Sequence, residues 1–344
     1  MRAEVWKSPA FEPTLRDGRL YGRGTADDKA GIIVHTAAIQ SFLKTTGKLP
    51  LNVKVIIEGE EEVGSGHLLD LLKKYKKKFQ ADIMILTDCG NYDTGVPALT
   101  TSLRGLVCLE VTVSSLDHPL HSGMWGGALP DPIMALSKIL SSLVDKNGDI
   151  AVPEIRKMIR PPSSKQKKSI KELGFTEKEF QKQSGLLKGV DIIGSPTCDV
   201  LTKSWYRPSL VVNCFEGGIR KMTGNVIQNQ AWARVGLRLS PGMDGEAAEK
   251  ALIQAIQEKT PWNVKVDIKK DSCANPWSTD IDHPAFDKAS AALKKAYKKE
   301  TVFMGCGGTI PFVKPFSIAL GDVPAMLVGV EDPYTNAHSE NESL

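Results

Sequence analysis

Glu60, Glu61 and Glu62 stand in a row just beyond the apolar, strand-like run Leu51 to Ile57, after Glu58-Gly59. Carboxylates at the end of a buried strand are costly unless a cation compensates them, and one acid would suffice to cap the helix that follows. Two more acidic points repeat the pattern: Asp27-Asp28 after Tyr21-Gly22-Arg23-Gly24, and Asp88 after Ile83-Met84-Ile85-Leu86-Thr87. Taken singly, Asp27-Asp28 reads as an N-cap pair, Asp88 as a turn former and His338 as a loop histidine. Taken together they form a mixed carboxylate and imidazole set that suits zinc, manganese or cobalt. Adjacent glutamates then allow one to bind metal while its neighbour acts as general base on a metal-bound water, which is the chemistry of a hydrolase.

The elements that must position these residues follow from periodicity. A helix is expected from after Gly24 to near Gly47, then a strand over Leu51 to Ile57, a helix carrying Leu68, Leu69, Leu71 and Leu72 on one face, and a fully buried strand over Ile83 to Thr87. Strands alternating with helices imply an α/β fold with a mainly parallel sheet covered on both faces, where ligands gather at the carboxyl ends of the strands. From Gly105 the pattern changes. Leu106 to Ser114 and Ala231 to Ser240 alternate as half-buried strands, Pro132 to Val144 and Gly245 to Glu258 are amphipathic helices, and Val264 to Lys269 is a further strand. This β-α-β-β-α-β-like order implies an inserted α+β two-layer, ferredoxin-like domain. The expected division is 1–104 for the first part of the sheet domain, 105–278 for the insert and 279–344 for the second part. Arg160 to Lys188 reads as an excursion of turns with one short helix, and Ala285 to Lys299 as a helix of the sheet domain.

Composition narrows the function classes. At 344 residues, 41% of them hydrophobic, the chain can build two cores. Its 44 basic and 40 acidic residues leave +4, dispersed, so no nucleic-acid partner is expected. The lysines of Lys73 to Lys78 and Lys165 to Lys168 read as solvated faces. Six scattered cysteines without C-x-x-C spacing fit a reducing cytoplasm. No run approaches the roughly 18 apolar residues of a membrane span, so no membrane partner is expected either.

Five runs then resemble a known family, the co-catalytic dinuclear metallopeptidases, most closely its carnosinase and cytosolic nonspecific dipeptidase branch. They are Leu20 to Lys29 (LYGRGTADDK), Glu58 to Ser65 (EGEEEVGS), Leu120-His121-Ser122-Gly123, Gly307-Gly308-Thr309-Ile310-Pro311 and Ala337-His338-Ser339-Glu340-Asn341, in family order across the chain. The resemblance implies that Asp27 bridges two metals and is followed by a cis peptide to Asp28. It makes Glu61 the general base, Glu62 and His338 ligands of the second metal, and Asp88 a ligand of the first. His121 resembles the histidine that reaches into the partner protomer's site to stabilise the oxyanion. Asn225 and Arg238 resemble substrate-binding positions, Arg238 by its planar fork suited to a peptide carboxylate, and Thr309 stands where the family has a substrate-contacting Ser or Thr.

The implied activity is hydrolysis of dipeptides or short peptides by a metal-bridged hydroxide, in a homodimer formed through the insert. Departures from the family pattern are Gly305-Cys306 where Arg-Glu is common and Gln228-Asn229 where Pro-Ala is usual. The family's His-x-Asp motif and closing helix are not matched, so the expectation is that the chain lacks both. One divalent ion, zinc or manganese, would be held tightly by Asp27, Glu62 and His338 where the family holds two, with correspondingly small activity. Retained alternatives are His35 or His67 as a replacement ligand, an N-acyl amino acid deacylase of the same family, and a non-catalytic dimeric remnant.

Overall fold

The computed structural model describes residues 3–194, 198–310, 312–321 and 323–344; Pro311 of the Gly307 to Pro311 run and the side chains of Lys165 and Met222 lie outside them. The chain forms two compact units, one of Met1–Thr101, Thr279–Gly305 and Ile310–Leu344, the other of Ser102–Ser278 and Cys306–Thr309.

The first unit is α/β. Met84–Leu86 pairs in parallel with Ala325–Leu327, which pairs antiparallel with Ala98–Leu103 through Leu327 and Thr100. Val302–Cys306 pairs with Ala98–Leu103 as well. Leu99, Phe286 and Met326 form a small core under the helix Pro284–Tyr297, whose proline sits in the first turn where no N–H is needed. The helix Lys29–Thr46 begins on the Asp28 side chain, which accepts from Gly31 N–H, and stops at Gly47, whose φ of 70° is the left-handed conformation glycine adopts cheaply. Gly31 is required by space: a Cβ there would lie 2.3 Å from Thr87 Oγ1 and 2.6 Å from Asp28 Oδ2. The start of this helix is thereby pressed against the strand end that precedes Asp88.

Two sequence expectations fail here. Leu51 to Ile57 forms no strand, and Leu51 and Ile57 are 65% and 68% exposed. A strand needs a ladder, and among the described residues the three-residue strand Met84–Leu86 gives this segment none. Ile83 to Thr87, expected to be buried on both faces, buries Met84 but leaves Ile85 53% exposed.

The second unit is a four-stranded antiparallel sheet in the order Lys265–Ala274, Gly105–Ser114, Gln230–Leu239, Ser209–Glu216. Helices Pro132–Ser142 and Gly245–Glu258 pack on it, and alternate residues of the central strands meet them in one core that includes Leu109, Leu136, Ile139, Leu237 and Leu252. The strand Ser209–Glu216, which periodicity does not reveal, has exposed side chains from Val211 onward because it is the sheet's edge. Gly105 marks the crossing into this unit, since a Cβ there would come within 2.5 Å of Ala274 O and 2.7 Å of Pro276 N. The excursion expected to hold one short helix holds two beyond Arg160, Ser164–Glu172 and Glu177–Ser184. Each opens with a capping box, Ser163 with Gln166 and Thr176 with Glu179, a signal that was present in the sequence.

Candidate active site

Asp27 lies on a loop that a single buried side chain holds in place. Glu342, fully buried, accepts the backbone N–H of Gly24 at 2.9 Å, of Ala26 at 3.0 Å and of Asp27 at 3.1 Å. Arg23 Nη1 donates to the same carboxylate at 2.9 Å, so the buried charge is both paired and hydrogen-bonded. The Asp27-Asp28 peptide is cis. Glu342 belongs to the segment that carries His338, so it also joins that segment to the Asp27 loop. Arg23 Nη2 donates to Ser339 O at 2.7 Å, and Asn341 is fixed by Lys7 N–H and Val5 O. The segment needs this support because Asn336, His338 and Asn341 all have φ near 60°, which is unfavourable for residues other than glycine.

With both loops held, His338 Nε2 stands 2.9 Å from Asp27 Oδ2 and 3.2 Å from Glu62 Oε2. Ligand atoms of the three residues lie within 4.8 Å of one another, a set of two carboxylate oxygens and one imidazole nitrogen that fits a divalent transition metal. Glu62 and Glu61 come from the single turn Glu61–Val63, closed by Gly64 at φ 92°. Around the trio the carboxylates crowd. Burial, then the charges of Asp88, Glu62 and Asp27, push Glu61 up to about 7. Burial and Asp27 push Asp88 up to about 6, and the two carboxyls are hydrogen-bonded to each other. Asp28 is pushed up to about 7 by burial and Asp88, and Glu331 to about 7 by burial, Asp27 and Asp88. Asp27, Glu62, Asp88 and His338 are thus brought together with Glu61 beside them. His67 is held by Glu60 at 2.8 Å, and His35 lies 3.3 Å from Thr87 Oγ1.

The second unit carries the other candidates in two places. Leu120–His121 pairs with Val226–Ile227, and Ser122 N–H donates to Asn225 O at 2.8 Å, so His121 and Asn225 are neighbours. Gly123 N–H donates to His121 Nδ1 at 3.2 Å, which fixes the neutral ring with its proton on Nε2, free to donate outward. Elsewhere, Arg238 Nη1 donates to Thr309 Oγ1 at 2.8 Å, and Thr309 Oγ1 donates to Arg104 O at 2.6 Å. Arg104, which sequence reasoning did not single out, is half-buried and donates to Gly307 O, Arg207 O and Ser209 Oγ. Burial and the neighbouring Arg238 charge lower it to about 10. Two guanidinium groups side by side form a place for an anion. Sequence reasoning also passed over Glu342 and Glu331. Glu342 could have been found from its position four residues after His338, next to a run already noted, whereas Glu331 has no local signal.

Two outcomes follow from this geometry. Replacing Glu342 by alanine leaves three N–H groups and Arg23 without their acceptor, and urea denaturation should show a loss of about 3–5 kcal/mol, with Gln recovering part of it. In the metal-stripped protein, Asp28, Glu61, Asp88 and Glu331 hold protons that the unfolded chain releases between about pH 4 and 7. The folded state binds more protons in that window, so stability falls as pH rises through it. Asp332 and Glu60 are shifted downward, and what they contribute is lost only below the usual carboxylate range. Thermal unfolding of the stripped protein should therefore give a higher Tm near pH 5.5 than near pH 8; a Tm that rises across this interval would contradict the crowding.

The model of the peptidase family M20/M25/M40 matches residues 2–344. A cysteinylglycine-S-conjugate dipeptidase of Corynebacterium striatum is 32% identical over 342 residues, covering 99% of this chain and 73% of the relative. The crystal structure of human carnosine dipeptidase 1 superposes with a TM-score of 0.84 at 28% identity, over 100% of this chain and 73% of that one. An M20 family metallo-carboxypeptidase from Sulfolobus solfataricus gives 0.87 at 26% identity, over 100% and 77%. With a family match over nearly the full length and dipeptidases among its relatives, the chain belongs to the peptidase family M20/M25/M40, in the branch of the carnosinases and Cys-Gly dipeptidases.

Proposed function

We propose that this chain hydrolyses the peptide bond of dipeptides or short peptides, using a divalent cation, zinc or manganese, held by Asp27, Glu62 and His338. The observation that carries this reading is the convergence of those three side chains beside Glu61, whose carboxyl is raised to about 7. Bound there, the cation supplies Lewis-acid polarisation of the scissile carbonyl and lowers the pKa of water. Glu61, poised near neutral pH, takes a proton from the attacking water and returns it to the leaving amine. His121 offers its Nε2–H to the charge that develops on the carbonyl oxygen. Arg238, oriented by Thr309, pairs with the substrate's carboxylate, and Asn225 lies beside His121 to hold the peptide. That the Corynebacterium and human relatives are dipeptidases supports a dipeptide substrate.

The same reading includes a homodimer formed through the second unit, with His121 serving the partner's site, in the cytoplasm. The edge strand Ser209–Glu216 supports it, because it ends the sheet with Val211, Val212 and Phe215 exposed. Unpaired edges of this kind are usually covered. Among the described residues no helix is long and apolar enough to cross a membrane.

Two experiments test these assignments. Glu61→Gln should abolish dipeptide hydrolysis with metal content nearly unchanged, while Glu62→Gln should lose metal first; equal metal loss in both would reverse the two roles. Mixing Glu61→Ala with His121→Ala protomers makes heterodimers with one intact site in two, about a quarter of wild-type sites after random exchange. A mixture as inactive as either parent would exclude the shared site.

A further inference from the structure

The helix Ser164–Glu172 carries lysines on two sides, and only one side is neutralised. Lys168 pairs with Glu172 at 3.7 Å across one turn. Lys167 and Lys171, also one turn apart, have no ion-pair partner among the described residues, and like charges at that spacing repel. Ile170, between them on the same side, is buried. This side of the helix lines a cavity of about 690 Å³, inside the roughly 300–1,000 Å³ range of small-molecule sites. Every residue of the lining belongs to the second unit.

The cavity gathers positive charge and leaves it unmatched. Lys167, Lys171 and Arg207 line it with one acid, Asp199, so its net charge is +2. Asp199 is already committed to the helix Val200–Tyr206: Oδ1 accepts Thr202 N–H at 2.8 Å and Oδ2 accepts Thr202 Oγ1 at 2.7 Å. Arg207 is held from behind. It is extended, as a residue before proline must be, and its carbonyl accepts from Arg104 Nη1 at 3.3 Å. Its backbone is thereby fixed while its guanidinium has no acceptor among the described residues. Pro161, Pro162, Ile170 and Phe175 add an apolar wall. Cys198 lines the cavity too, and burial and Asp199 raise its thiol, so it stays protonated near neutral pH and brings no charge.

We propose that this cavity binds an organic phosphate, with its phosphate head on Lys167, Lys171 and Arg207 and its apolar body against Ile170, Phe175 and the two prolines. A phosphate monoester carries close to two negative charges near neutral pH and has three acceptor oxygens. It therefore balances the net +2, whereas a single carboxylate would leave one cation in excess. The fork of Arg207 can take two of the oxygens, and the lysines meet the head as point charges.

The probe is phenyl phosphate, titrated by calorimetry into the full chain stripped of metal, so that the ester cannot sit on a bound cation. One binding event is expected. The double variant Lys167→Gln/Lys171→Gln changes two exposed side chains and should keep the fold while weakening the event at least about tenfold, and Arg207→Gln should do the same. Arg238→Gln, which removes the guanidinium beside Arg104, should leave it within about twofold. Inorganic phosphate and benzyl alcohol should each bind at least about tenfold more weakly, because each lacks one half of the ligand. Phenyl phosphate should also slow alkylation of Cys198 by iodoacetamide, read by peptide mass, and spare that of the exposed Cys273. Absence of binding, binding that Arg238→Gln abolishes, or binding that the double lysine variant and Arg207→Gln both leave unchanged would overturn the proposal. So would equal affinity for inorganic phosphate, or alkylation of Cys198 that does not slow.

Discussion

The carboxylate of Glu342 is the interaction on which the rest of the candidate site depends. Backbone N–H groups left free in a buried loop must find acceptors, and Gly24, Ala26 and Asp27 find theirs on one side chain more than three hundred residues away in sequence. The arrangement does two things at once. It fixes the peptide planes that aim Asp27, and it ties the segment bearing His338 to the same point through Arg23. A ligand set drawn from chain positions 27, 62 and 338 has no local reason to converge. A buried, fully satisfied charge supplies that reason, because moving either segment away would strand it.

Convergence of this sort is unfavourable for the ligands themselves. Asp28, Glu61, Asp88 and Glu331 are all raised by burial first and by neighbouring carboxylates second, Asp27 and Asp88 foremost among them, which is the signature of negative charge collected in one place. The fold has the means to satisfy acids here, as Asp332 with Arg19 shows. None of the four that crowd Asp27 is given a cationic partner of that kind among the described residues, and Asp28 has only the N–H of Gly31. A protein that spends stability on unpaired carboxylates in one place is suited to a cation there, and the raised Glu61 is at the same time suited to proton transfer near neutral pH.

Much of this was legible in the sequence. The acids at 61, 62 and 88 announced themselves by following apolar runs and Asp27 by its place after Tyr21-Gly22-Arg23-Gly24, the helix Lys29–Thr46 by its Asp28 cap and Gly47 stop, and the two-layer insert by alternation in Gly105–Ser114 and Gln230–Leu239. What sequence could not show depends on partners. Leu51 to Ile57 has the composition of a strand but no ladder among the described residues, and strand propensity is a statement about neighbours more than about the segment. The edge strand Ser209–Glu216 lacks alternation because its side chains from Val211 onward are exposed. Arg104 and Glu331 acquire meaning only from residues far along the chain, Arg238 in one case and Asp88 in the other.

Identical side chains therefore carry opposite assignments, and the partners decide which. Glu342 receives three N–H groups and a guanidinium and becomes a strut. Glu60 receives the His67 ring and backbone and is held low. Glu61, one residue on, receives nothing comparable and is raised. The run Glu60-Glu61-Glu62, which looks uniform as letters, divides into a histidine-bound glutamate, a poised base and a metal-ligand candidate. It can do so because the single turn Glu61–Val63 points successive side chains in different directions. Three adjacent acids need three environments, and a tight turn is the shortest structure that provides them.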